Sequence, residues 1–286
     1  MLGATCALAN MTSDFFSAAT PLLVTIIAPV IVMGGLRLSA ERFWPIEPAR
    51  KTGRRINIAA FLIGLLTQVA LAPGLVFLGT FATNRLGGGF IALPAHGWGA
   101  VGGFVVFFVA VDFLQFLFHR AEHGLPWLWA FHSLHHSDKT LDATTSVLHH
   151  WLSQLMLVVF VAVPVGLAFK VPPFYLALSS VLAYFTYVYH ANVRLDFGRF
   201  AWVLNSPGYH RLHHSTLPEH FDCNYAGTFP IFDMLFGSYR PARKGEWPTV
   251  GLGDGSEAAD VFDVIFWPIR GQLRALTRRP VERAGV

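Results

Sequence analysis

Twelve of the thirteen histidines crowd the ends of apolar runs long enough to cross a bilayer. That conjunction limits the folds open to this chain. The clusters read HRAEH (His119, His123), HSLHH (His132, His135, His136) and HRLHH (His210, His213, His214), with a looser set of His149, His150, His190 and His220. Only His96 lies elsewhere. Imidazole is a common ligand for Fe, Zn, Cu and Ni. One such pair carries little information. Three boxes spaced three or four residues apart, all at one membrane depth, point to metal.

The 286 residues are 53% hydrophobic and only 13% charged, about half the soluble norm of ~25%. Mean hydropathy is +0.48. These values predict an all-α, multi-span transmembrane bundle. Cys6 and Cys223 are too few and too far apart for a disulfide framework. The first fourteen residues carry no Lys or Arg and do not resemble a cleavable signal peptide. Five apolar runs are candidate spans: 15–38, 56–81, 98–118, 151–169 and 174–189. The last two are short and joined through Lys170 and Pro172-Pro173. They read either as two spans or as a tilted, partly re-entrant hairpin.

Lys and Arg set the orientation. With five spans, nineteen of the 21 lie on one side, and only Arg85 and Lys170 on the other. The expected N-terminus is outside, and every His cluster is in a cytosolic cap. This bias explains the pI near 9.3, so nucleic acid is not an expected partner. Residues 1–100 read as a two-span anchor, 101–240 as the catalytic domain and 241–286 as a cytosolic basic tail. Between Ala258 and Arg279, apolar residues alternate with Arg270, Arg274 and Arg278. That pattern suits either a helix lying in the membrane interface or one packed on the catalytic domain.

His119 and His123 are an i, i+4 pair, about 5–6 Å apart on one helix face. Asp112 and Gln115 continue that stripe. An acid inside a span is a functional candidate, and Asp112 is expected to accept an N–H from a ligand imidazole. Pro126-Trp127-Leu128-Trp129 reads as an interfacial elbow ahead of the first triplet, and Pro207-Gly208 as a helix start ahead of the second. The expected metal ligands are His119, His123, His132, His135, His136, His190, His210, His213 and His214. His150 is the candidate for an additional ligand, the role of His149 is open, and His96 and His220 are expected to stand outside. Asn192, Asp138, Asp142, Asp222, Asn224 and Asp233 are candidates for organising the surroundings. So many ligands exceed one ion's needs and imply two. An all-nitrogen set beside lipid suits Fe(II) and oxygen chemistry. Zinc hydrolysis would show His-Glu-x-x-His; here HRAEH puts Glu122 elsewhere in the motif.

From Asp112 to Tyr239 these motifs resemble the fatty acid hydroxylase/sterol desaturase superfamily of membrane di-iron enzymes. The resemblance rests on DFLQFLFHRAEH, FHSLHHSD after Pro126, His190-Ala-Asn192, SPGYHRLHHS and DCNYAGTFPIFDMLFGSY. The last is similar to the family's Asn-Tyr-Gly … Trp-Asp-x-x-Phe-Gly-Thr ending. Where many relatives show Arg-x-His-Pro-x-Glu, this chain reads Leu148-His149-His150-Trp151-Leu152-Ser153. Ala226 stands for the family Gly and Phe232 for its Trp. The resemblance implies oxygen-dependent hydroxylation, desaturation or demethylation of a lipid at two iron ions, for which zinc can substitute in purified samples. No dinucleotide, haem-attachment or rubredoxin-like motif is present, so electrons are expected from a ferredoxin-type or cytochrome-type donor with its reductase. The rival readings are a His-rich membrane metal transporter and a non-catalytic lipid-binding relative.

Overall fold

The structure, a computed structural model, describes residues 27–48 and 51–277. The start of the first expected span and the end of the basic tail lie outside these residues. Helix α1 covers 27–38, and the short α2 (Ala40–Phe43) follows. Helix α3 (Lys51–Arg85) is the longest, with Pro73 inside it, and α4 (Gly97–Gly124) ends in the first His pair. Then come α5 (Pro126–His132), α6 (Ser153–Leu157), α7 (Val163–Ala168), α8 (Pro173–Ala183) and α9 (Phe185–Tyr189). The last three are α10 (Pro207–His213), α11 (Ile231–Phe236) and α12 (Val261–Thr277). The described chain is mostly helical, as its apolar runs predict.

Two helical stretches are long and apolar enough to cross a membrane, Lys51–Leu71 and Gly97–Gly124. Many of their apolar side chains face outward: Leu66 is 70% exposed and Val105 55%. Rows of such residues facing water would be a large uncovered patch; facing lipid tails they are at home. Residues 153–168 form a shorter apolar helix, with a π-turn at Val158–Ala162 between α6 and α7. At ~1.5 Å per residue it reaches about 24 Å, less than the ~30 Å hydrocarbon core.

A two-residue parallel pairing ties this short arm to the far end of α3 and α4. Ile91 pairs with Phe169 and Ala92 with Lys170. Gly88 allows the approach: a Cβ there would stand 2.9 Å from the Leu167 Cα. Tyr175, fully buried on α8, locks the same end. Its hydroxyl lies 2.7 Å from the Pro94 carbonyl and 2.8 Å from that of Ala100.

Three apolar cores position the site. One joins Phe107 and Phe118 of α4 to Leu128, Val161, Val165 and Tyr175. A second packs Phe116 against Tyr225, Ala226 and Phe232. The third joins Ile56 and Ala60 of α3 with Leu134 and Leu148, and with Val264 and Trp267 of α12. The tail helix therefore packs on apolar residues that flank the second histidine box and His149. Its other face leaves Phe262, Phe266 and Ile269 exposed. The helix bends at Phe266 (φ −115°), just before Pro268, because Pro lacks the N–H that would continue the ladder.

Candidate metal centre

Nine histidines gather into two groups. His119, His123, His132, His136 and His213 form one; His135, His190, His210 and His214 form the other. Within each group the ligand atoms lie within 4.8 Å of one another. These are the nine residues expected as ligands.

Helix geometry sorts them. His132 and His136 are four residues apart and share the first group, while His135 turns to the second. His210 and His214 share the second group, and His213 turns to the first. Neighbours on a helix diverge by about 100°, whereas i and i+4 lie on one face. Each triplet therefore feeds both groups. The rings interlock between them: His136 stacks on His214 with centroids 4.2 Å apart. Helix α10 starts where its sequence predicts, with Pro207 in its first turn and the Ser206 side chain accepting the Tyr209 N–H.

Hydrogen bonds fix which nitrogen faces inward. A carbonyl only accepts, so a ring nitrogen beside one must donate. His119 Nδ1 donates to Tyr225 O at 2.6 Å, His213 Nδ1 to Cys223 O at 2.8 Å, and His190 Nδ1 to Thr186 O at 2.8 Å. His132 Nδ1 lies 3.3 Å from the Glu122 carboxylate. Each of these rings, neutral, turns a bare Nε2 lone pair inward. Yet His119 Nε2 and His132 Nε2 stand only 3.1 Å apart. Two lone pairs at that distance repel, and a shared cation removes the repulsion. His136 Nε2 lies 3.2 Å from His132 Nε2. In the second group the Nε2 separations are 3.1 Å for His190–His135, 2.9 Å for His190–His210 and 3.1 Å for His210–His214. Two imidazoles bound to one ion at ~2.1 Å, near right angles, have nitrogens about 3 Å apart. Buried Nε2 atoms of His123 and His213 lack any protein partner. The donor set thus fits a metal ion in each group.

Burial and mutual proximity keep the rings neutral. His135, His136, His210, His213 and His214 are each held well below the ordinary imidazole range, by burial first and neighbouring imidazoles second. Neutral imidazole is the ligating form.

His149 and His150 stand outside both groups. His149 stacks on His135, with centroids 4.4 Å apart and planes 11° apart; burial pushes it down to about 4. His150 Nε2 turns away to Ile265 O of α12 at 2.9 Å. His220 and His96 also lie outside.

The expected supporting residues act one step further out. Asp112 does not receive an imidazole. Its carboxylate accepts the backbone N–H groups of Thr228 and Phe229, at 2.9 and 3.0 Å. The stripe expectation fails here because the amides of a neighbouring segment reach Asp112 first. That segment carries Tyr225, so Asp112 steadies the carbonyl that orients His119. Asp233 accepts the Tyr225 and Ala226 N–H groups and the Ser238 and Tyr209 hydroxyls. Asn224 clamps Tyr209 O and both backbone groups of Arg240. Asp222 accepts the Tyr225 hydroxyl. Asn192 ties down Ile46 and Glu47; Asp138 accepts from Asn57, Thr140 and Thr145, and Asp142 pairs with Arg54.

The sequence reading missed Glu122 and the carbonyls of Cys223 and Tyr225. For Glu122 a signal existed: it lies three residues after His119, on the same helix face. Carbonyl orientation left only a faint trace. Asp222 and Asn224 adopt left-handed conformations, φ 57° and 60°, which Asp and Asn tolerate better than most residues. Those two turns swing the carbonyls of Cys223 and Tyr225 toward the centre.

A cavity of about 830 Å³ adjoins the first group. His123, His136 and His213 meet it, and Trp129 of α5, Trp267 of α12 and Leu252 complete much of its wall.

Such a fold and site define a protein with two histidine groups that could each hold a metal ion, beside two apolar, membrane-length helices. Residues 104–238 match the family model described as fatty acid hydroxylase. That matched segment, just under half of the chain, resembles the fatty acid hydroxylase/sterol desaturase superfamily. It is similar to alkylglycerol monooxygenase of Xenopus tropicalis, 29% identical over 70% of this chain and 44% of that protein. The Danio rerio alkylglycerol monooxygenase is 32% identical over 53% of this chain and 33% of its own. The ornithine lipid hydroxylase OlsE of Rhizobium tropici is 27% identical over 85% of this chain and 75% of that protein. The chain thus spans less than half the length of the alkylglycerol monooxygenases it matches. No solved structure matches it.

Proposed function

We propose that this chain is a membrane-bound oxygenase that hydroxylates a lipid, using O2 and electrons from an external donor. The observation that carries the reading is the pair of histidine groups beside a cavity walled by tryptophan and aliphatic side chains. The nine grouped histidines would hold two iron ions. Bound iron would supply the oxidising power to replace an unactivated C–H bond. In balance, R–H, O2, two electrons and two protons give R–OH and water; a second hydrogen removal instead of oxygen transfer would give an alkene. Relatives named for alkylglycerols and an ornithine lipid support a lipid substrate.

The chain's own residues hold and shield. Glu122 and the carbonyls of Cys223, Tyr225 and Thr186 orient imidazoles, a bracing common around bound metals. Trp129 and Trp267 form the apolar wall against which an alkyl chain would lie, excluding water from the reacting carbon. Asp112 is occupied by two amides, which removes the interior acid that a metal-transport path would need. The membrane arrangement proposed is a two-span anchor (1–100), a catalytic segment (101–240) facing the cytosol and a basic tail (241–286). Residues of all three meet in one core. The donor would be a ferredoxin-type or cytochrome-type protein meeting the basic cytosolic face.

The test is direct. Protein from iron-replete cells should carry about two metal ions per chain. Supplied with a chemical or ferredoxin-type reductant, it should convert a membrane lipid extract to a species one oxygen atom heavier, labelled by isotopically heavy O2. Folded protein with full iron and no labelled lipid would overturn the reading.

A further inference from the structure

Hydroxylation consumes two protons for each O2. A separate chain of groups leads from the surface to the same cavity. Ser215 lines that cavity and is 4% exposed. Its Oγ lies 2.9 Å from His220 Nδ1. The other ring nitrogen, His220 Nε2, lies 3.2 Å from the Glu246 carboxylate. His220 is 1% exposed, while the Glu246 side chain is 20% exposed and reaches solvent. Arg240 Nη2 stands 3.7 Å from the same carboxylate oxygen, and the Arg243 N–H donates to the other. His220 belongs to neither metal group. Its burial would be costly without a partner on each nitrogen.

The geometry points to Ser215, His220 and Glu246 as a proton relay from solvent to the cavity, resting on the oxygenase reading above. The steps balance. With both nitrogens protonated, His220 donates Nδ1–H to Ser215 Oγ and Nε2–H to Glu246. As the Nδ1 proton passes to Ser215, the hydroxyl's own proton leaves into the cavity. His220 is left neutral with its Nε2–H on Glu246; a turn of the ring brings that N–H to Ser215 and the bare nitrogen to Glu246, through which a solvent proton restores the doubly protonated ring. The electrons come separately, from the external donor. Ser215 has the capacity for this: one hydroxyl proton and two lone pairs, one of which accepts the Leu217 N–H at 3.1 Å.

The test uses Ser215→Ala, His220→Gln and Glu246→Gln in the full chain. All three should fold and keep wild-type metal content, with a lowered thermal midpoint where a buried partner of His220 is lost. Each should lose about 10²-fold in turnover, the lower end of what positioned proton transfer contributes, with a larger solvent deuterium isotope effect than wild type. A second measurement needs no turnover. Deuterium exchange at the His220 ring C2–H, read by peptide mass in zinc-loaded protein, requires a protonated ring. Glu246→Gln, which takes away the carboxylate facing Nε2, should slow it. Wild-type turnover in the three variants, loss of metal in step with activity, or unchanged exchange in Glu246→Gln would each overturn the relay. A wild-type protein that oxidises no lipid overturns the oxygenase reading instead, and the exchange measurement still reports on the relay.

Discussion

Glu122 and Asp112 sit on one helix, ten residues apart, and their carboxylates perform different tasks. Glu122 meets a ring nitrogen of His132; Asp112 meets two backbone amides. Glu122→Gln should therefore lower metal affinity by ~10–100-fold, the usual cost of losing a bracing partner, while leaving the thermal midpoint of metal-free protein nearly unchanged. Asp112→Asn should do the reverse. It leaves buried amides short of an acceptor, at a cost of about 1–3 kcal/mol, and disturbs metal only through Tyr225. Isothermal titration with zinc and thermal unfolding of both variants check this. Full stability with lost metal in Asp112→Asn would return Asp112 to a direct role at the ligands. The grouping of nine histidines was legible because ligand spacing and helix periodicity are both local. What Asp112 binds was not, since its partners lie more than a hundred residues along the chain.

At the scale of elements, the long helices announce themselves through uninterrupted apolar runs, and the α10 start through Ser206-Pro207. The short arm at 153–168 was ambiguous for a physical reason. Its apolar length falls between that of a buried helix and that of a span, and nothing local marks the π-turn. The tail was ambiguous in another way, because α12 has two apolar faces. Val264 and Trp267 pack inward while Phe262 and Ile269 face out, and a single-faced reading must choose wrongly about one of them. Trp267 is 3% exposed, donates its indole N–H to Ser133 Oγ and walls the cavity. Trp267→Ala should cost ~3–5 kcal/mol in local packing and loosen α12. Limited proteolysis should then cut within 251–271 at protease levels that spare the wild type, and lipid oxidation should fall with metal content intact. A variant that loses metal before α12 becomes cleavable would show that the helix braces the ligands instead of the cavity wall.

For the whole molecule, helix α4 sets the axis. Its 28 residues reach about 42 Å at ~1.5 Å each, more than the ~30 Å hydrocarbon thickness. Crossing a bilayer, it would set Ala95, just before it, and the His119–His123 pair near its end on opposite membrane faces. The parallel pairing of Ile91–Ala92 with Phe169–Lys170 places the short arm's tip at the Ala95 end. That end carries Arg85 and Lys170, while most of the remaining Lys and Arg fall toward the histidines. Positive residues are retained on the cytosolic side, so the metal groups should face the cytosol. Ala95 and Lys244 are both exposed, so a cysteine at either position is open to reagent once reagent reaches its side. In intact cells a membrane-impermeant maleimide should label Ala95→Cys. It should label Lys244→Cys only after the membrane is opened. The opposite pattern would invert the molecule, put the histidines outside and cut the centre off from any cytosolic electron donor.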